Sequence, residues 1–175
     1  MSAEAQSKLD GTTRGLGLLL IGMAAFTTWD QWAIWSTKDD YTFGYLVPFF
    51  SAYVLWDRWE ELRALLTGER TDVAAPTSRG VLTLAQLLAF ASLALFGLGA
   101  AARAIFGTGI GPTLAICFGL AGAALAFAFL SVRGPQDAVA TSTSRWRAVG
   151  LLLFPTCVWL ISGPFLFLVD NQIKG

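Results

Sequence analysis

The residues that could do chemistry in this chain are few. It contains no histidine and two cysteines, Cys117 and Cys157. A Ser-His-Asp relay, a Cys-His dyad and a histidine-ligated metal centre all need an imidazole, so none can be built from these residues alone. The cysteines stand 40 residues apart in apolar surroundings, Ile116-Cys117-Phe118 and Thr156-Cys157-Val158. They make no CxxC pair and no zinc pattern, and neither has a cation close in sequence to hold a thiolate. Both read as small, inert, apolar residues. No catalytic residue is assigned in this chain, and no cofactor or metal is expected. Asp30 is the more unusual group, an acid inside an apolar run. A carboxylate there is costly and normally faces protein, water or a partner. Arg103 falls at a similar depth near the outer end of another run, so either the two pair or each simply reaches the interface.

The stretch from Asp39 to Arg58 is the most informative. It places Asp39, Asp40, Tyr41 and Tyr45 just before an apolar helix containing Pro48. Proline lacks an N–H, and its ring clashes with the carbonyl four residues back, here that of Gly44. Glycine accepts dihedrals that other residues avoid. The expectation is an outer-face turn over Asp39–Tyr45 at Gly44, with a helix starting near Leu46 and Pro48 in its first turn. The plainer reading of the same residues is an interfacial loop with an aromatic anchor.

The elements that must hold these residues read as a membrane bundle. The chain has 175 residues, of which 55% are apolar and 14% charged, with zero net charge and a mean hydropathy of +0.59. Soluble domains carry roughly 25% charged residues. A helix needs ~20 apolar residues to cross a bilayer core, and the runs near 15–35, 45–59, 80–102, 109–132 and 148–169 approach that length. The fold class is therefore all-α, a multi-pass transmembrane helix bundle of about five spans. Residues 1–14 form a cytoplasmic tail and residues 15–175 the helical domain. With the N-terminus inside, nine of the 12 Lys and Arg fall on the cytoplasmic side and three outside. That bias sets the orientation and places the chain in the inner, cytoplasmic membrane of a cell. Its first partner is the lipid bilayer, and nucleic acid is not expected. Trp29, Trp32 and Trp35 at one end, and Trp56, Trp59 and Trp146 at the other, read as headgroup-level belts. Asp57–Arg63 reads as a polar cytoplasmic extension. Ala115, Gly119 and Ala123 form a small-residue ladder for close helix packing.

Within that frame, Tyr41-Thr42-Phe43-Gly44-Tyr45-Leu46-Val47-Pro48, with Trp56-Asp57-Arg58 at the helix end, resembles the early signature of the exosortase/archaeosortase family. That signature is similar to Tyr-Ser-His-Gly-Phe-Leu-Val-Pro. Tyr41, Gly44, Leu46, Val47 and Pro48 match it, and Phe43 stands where the family usually has His. Phe154-Pro155, Trp159 and Pro164 look like the family's helix preceding its catalytic half. The resemblance implies an intramembrane cysteine protease and transpeptidase acting at the outer face on exported proteins with C-terminal sorting signals. It also implies that the family's Cys, Arg and His lie downstream, so that this chain is an N-terminal portion lacking them. The alternative is a complete small non-enzymatic scaffold or partner subunit.

Overall fold

A computed structural model of the chain describes residues 9–37, 39–70, 75–134 and 139–162. The expected tail up to residue 8, the part of the last run beyond Ser162, and Pro164 lie outside the described residues. All regular elements among the described residues are helices: α1 (Gly11–Thr37), a 3-10 helix (Asp39–Leu46), α2 (Val47–Asp57), α3 (Trp59–Thr67), α4 (Arg79–Phe106), α5 (Ile110–Ser131) and α6 (Ser142–Leu160). One isolated bridge pairs Pro76 with Thr141. It ties the entry of α4 to the entry of α6.

Helix starts follow local chemistry. Asp10 Oδ1 accepts from the Thr13 amide at 3.0 Å, so α1 begins at Gly11. Ser78 and Thr141 cap α4 and α6 by accepting from Val81 N and Ser144 N. In each case a side-chain oxygen takes up an amide that the first turn leaves without a partner. Helix α3 ends at Gly68, whose φ of 76° is left-handed. A Cβ at Gly68 would also lie 2.6 Å from the Gly134 carbonyl oxygen.

Helix α5 is the centre. It buries a stripe running from Thr113 and Cys117 to Phe129 and packs against α1, α4 and α6. Among the described helices, its contact with α4 is the most extensive. A Cβ on Gly119 would sit 2.6 Å from the Phe96 amide nitrogen, and one on Gly99 would sit 2.9 Å from that of Ile116. Small residues at a helix interface let the backbones approach, which is the role expected of the Gly119 ladder.

Two of these helices, α4 and α5, are long and apolar enough to cross a membrane. The burial pattern of α1 points the same way. Its buried side chains are Met23, Thr27, Asp30, Gln31 and Trp35, while Leu18, Ile21 and Trp29 are exposed. Polar groups inside and large apolar groups outside invert the soluble rule and suit a lipid surround.

The second expected span, 45–59, is not a single helix of spanning length. The 11 residues of α2 rise only ~16 Å, about half of a ~30 Å bilayer core. The 3-10 helix before it continues the stretch, and α3 follows after a break at Arg58. Helix α3 is also not simply a polar extension. Leu62, Leu65 and Leu66 are buried against Ala128, Val132, Ala140 and Ala148, so α3 is amphipathic and closes one end of the bundle.

Candidate functional site

One group of buried polar side chains lies at the end where α1 and α4 finish and α5 begins. Arg103 Nε donates to Asp30 Oδ1 at 2.6 Å, and Thr113 Oγ1 donates to Asp30 Oδ2 at 2.6 Å. The Asp30 side chain is fully buried and that of Arg103 is 16% exposed. The guanidinium also lies over the Trp29 ring, 5.0 Å from its centroid. The structure thus brings Asp30 and Arg103 together, with Thr113 as a third member that sequence reasoning did not single out. Two donors satisfy the carboxylate and three helices are clamped at one point.

One residue further along α1, Gln31 is fully buried and uses its whole amide. Its Nε2 donates to Cys117 Sγ at 2.8 Å and to the Trp159 carbonyl at 3.2 Å, and its Oε1 accepts from Ser162 Oγ at 2.9 Å. Cys117 is therefore a buried acceptor in a hydrogen-bonded node, and among the described residues no group of three metal-ligating side chains surrounds it. One turn on, Trp35 Nε1 donates to the Ser162 carbonyl at 3.1 Å. Trp35 is the largest fully buried side chain of the described set. This corrects its place in the expected headgroup belt. Trp29 and Trp32 on the same helix stay exposed, as do Trp56, Trp59 and Trp146. The sequence signal was available in the spacing 27, 31, 35, which stacks Thr27, Gln31 and Trp35 on one helical face.

The Tyr41–Pro48 motif rests on this indole. Tyr41, Gly44 and Leu46 belong to the 3-10 helix, and Val47 and Pro48 open α2. The Tyr41 side chain lies outside the described set. Val47 is buried in the main cluster with Trp35 and Trp159, and Leu46 is exposed. The Tyr45 ring meets Trp35 and Trp32 edge-on, with centroids 5.7 and 4.7 Å apart. Gly44 is buried so close to Trp35 that a Cβ there would overlap the indole Nε1, Cδ1 and Cε2 atoms. The turn expected at Gly44 is part of a 3-10 helix and uses no left-handed dihedral. Among the described glycines only Gly68 and Gly107 have positive φ. The tighter winding of the 3-10 helix carries the chain into α2, and Pro48 sits at a first-turn position, where its missing N–H costs nothing. Glycine is required at position 44 for lack of space, not for its dihedral freedom.

Helix α2 is stitched to α6 through Pro155. A proline inside a helix leaves the carbonyl four residues back without its donor. That carbonyl belongs to Leu151, and Arg58 Nη1 donates to it at 3.2 Å. Ser51 Oγ donates to the Pro155 carbonyl at 3.1 Å. At the same end of the bundle, Glu61 accepts from Arg147 at 2.5 Å and lies 3.8 Å from Arg70, while Arg133 pairs with Asp10 at 2.6 Å. Arg145 Nη1 donates to the Phe129 carbonyl at 2.5 Å, a cation placed at the C-terminal end of α5.

The profile of the transmembrane exosortases (Exosortase_EpsH) matches residues 35–174, most of the chain. No curated protein and no solved structure matches it significantly. The matched region opens on Trp35 and takes in the motif it supports, the Arg58–Pro155 stitch and the whole of α4 and α5. On this match, the chain belongs to the transmembrane exosortase family.

Proposed function

We propose that this chain serves the processing of C-terminal sorting signals on exported proteins, as a multi-pass protein of the inner, cytoplasmic membrane with its N-terminus inside and five crossings. Residues Tyr41–Pro48 then form an outer-face wall of the cavity in which a sorting signal is held. The observation that carries this reading is the family match over residues 35–174. The arrangement of charges supports the orientation. Asp10, Arg58, Glu61, Arg70, Arg133 and Arg147 meet at one end of the bundle through their ion pairs and helix contacts. Asp30, Arg103 and Thr113 meet at the other. A cation-rich end belongs on the cytoplasmic side.

The chain's own share in such a reaction is positional. Cysteine-histidine transfer chemistry needs an imidazole, and residues 1–175 hold none. The nucleophile and base would come from outside these residues, while the motif fixes one wall against which the substrate segment lies. The test is deletion of the gene, with mass spectrometry of exported proteins. Retained C-terminal tails in the deletion strain, removed again on complementation, are expected. Unchanged processing in the deletion strain would end the reading.

A further inference from the structure

We infer that Trp35 is the positioning residue of the outer motif, registering Tyr41–Pro48 against the end of α6. This rests on the functional reading above for its consequence in sorting, though not for its geometry. Two separate contacts of one side chain carry it. The pyrrole edge of the indole abuts the Gly44 backbone with no room for a Cβ, and the indole N–H holds the Ser162 carbonyl. Ser162 is held a second time, through its hydroxyl on Gln31 Oε1, and lies where α6 widens into a π-type turn at Ile161–Ser162. Gln31 in turn spends its remaining protons on Cys117 and Trp159, so its amide has no spare partner and cannot swing without leaving a buried polar group unsatisfied. The position of the motif is therefore set by a stack on α1 that also fixes α6, and α1 itself is pinned to α4 and α5 by Asp30.

A steric stop makes a prediction that a general packing role does not. Adding a methyl at Gly44 drives the 3-10 helix off the indole, and shrinking the indole makes room for that methyl. The experiment uses the full chain in lipid nanodiscs, with amide hydrogen exchange of residues 42–46 as the readout. In cells, it measures processed exported protein per inserted chain. Gly44→Ala should raise exchange of 42–46 roughly tenfold and cut processing per inserted chain several-fold. Gly44→Ala combined with Trp35→Leu should exchange more slowly, and process more, than Gly44→Ala alone. If Trp35→Leu does not insert, Trp35→Phe provides the smaller ring for the same comparison. A double variant equal to or worse than Gly44→Ala overturns the steric stop, because independent destabilisations add. Expected exchange changes with normal processing by every variant, in a strain where processing needs the gene, overturn the positioning role in sorting. Expected exchange changes in a strain where processing never needs the gene leave the geometry standing and remove the functional reading instead.

Discussion

Replacing Arg103 by methionine tests whether the Asp30–Arg103 clamp is held by charge or only by shape. Methionine keeps much of the side-chain stem beside Trp29 and removes the cation. Asp30, fully buried, then retains a single hydrogen bond, from Thr113 Oγ1, and carries an uncompensated charge. Breaking a buried pair from one side costs ~3–5 kcal/mol. The opposite change is cheaper. Asp30→Asn leaves Arg103 charged, but that side chain is 16% exposed and its head can move outward to water. Asparagine still offers a carbonyl to one donor, so the loss should be about 1–2 kcal/mol. The double variant Asp30→Asn/Arg103→Met buries no charge and should be ~1–3 kcal/mol more stable than Arg103→Met alone. Unfolding the purified protein by SDS titration in mixed micelles, followed by circular dichroism, gives all three values. A cost for Arg103→Met below ~1 kcal/mol, or a double variant less stable than Arg103→Met, would refute the reasoning.

Gly119→Val should cost ~1–3 kcal/mol through overpacking and raise amide exchange along α4, because the obstacle is the Phe96 backbone and cannot step aside; unchanged exchange in α4 would mean the helices are not in close contact there. Arg58→Leu should cost about 1–3 kcal/mol by leaving the Leu151 carbonyl without a donor. In a Pro155→Ala background, which restores the missing N–H, the same change should cost less than ~1 kcal/mol, and equal costs in the two backgrounds would break the link. Asp10 gives a pH dependence. Hydrogen bonds from Thr13, and to a lesser degree the charge of Arg133, hold its carboxyl below the usual value. A depressed acid contributes stability above the unfolded-chain value and loses it as pH falls through the folded one. The α1 cap should therefore stay intact from neutral pH down through the ordinary carboxylate range and open only in stronger acid. The NMR shift of the Thr13 amide should titrate there, and Asp10→Asn should abolish that titration.

What the sequence made legible was set by chemistry that acts over one or two helical turns. Pro48 marks the start of α2 because a first turn is where proline fits. Asp30 stood out because an acid in an apolar run demands an explanation, and its depth pointed to Arg103. The small ladder at Gly119 marked a close helix contact. Gln31 offers no such local signal, since its partners Cys117, Trp159 and Ser162 lie 86 to 131 residues away. Trp35 was grouped with Trp29 and Trp32 by spacing of three, although the buried face of α1 advances by four from Thr27. The reading of Gly44 named the right residue for the wrong cause. A backbone turn can be argued locally, whereas an indole face arriving from another helix cannot. Similarly, a proline inside a helix implies a lost hydrogen bond at Leu151, but only the fold shows that Arg58 replaces it. Leu62, Leu65 and Leu66 carry helical spacing within a charged stretch, and the surrounding charges masked it.

The proposed function requires the motif resting on Trp35 to face the outside of the cell, where exported proteins are processed. The direct measurement is thiol labelling of Thr42→Cys in intact cells with a membrane-impermeant maleimide, using the wild-type chain as the control for Cys117 and Cys157. Labelling of Thr42→Cys from outside without permeabilisation, and none of the control, is expected. Labelling that appears only after the membrane is opened would place the motif on the cytoplasmic side and contradict the claim.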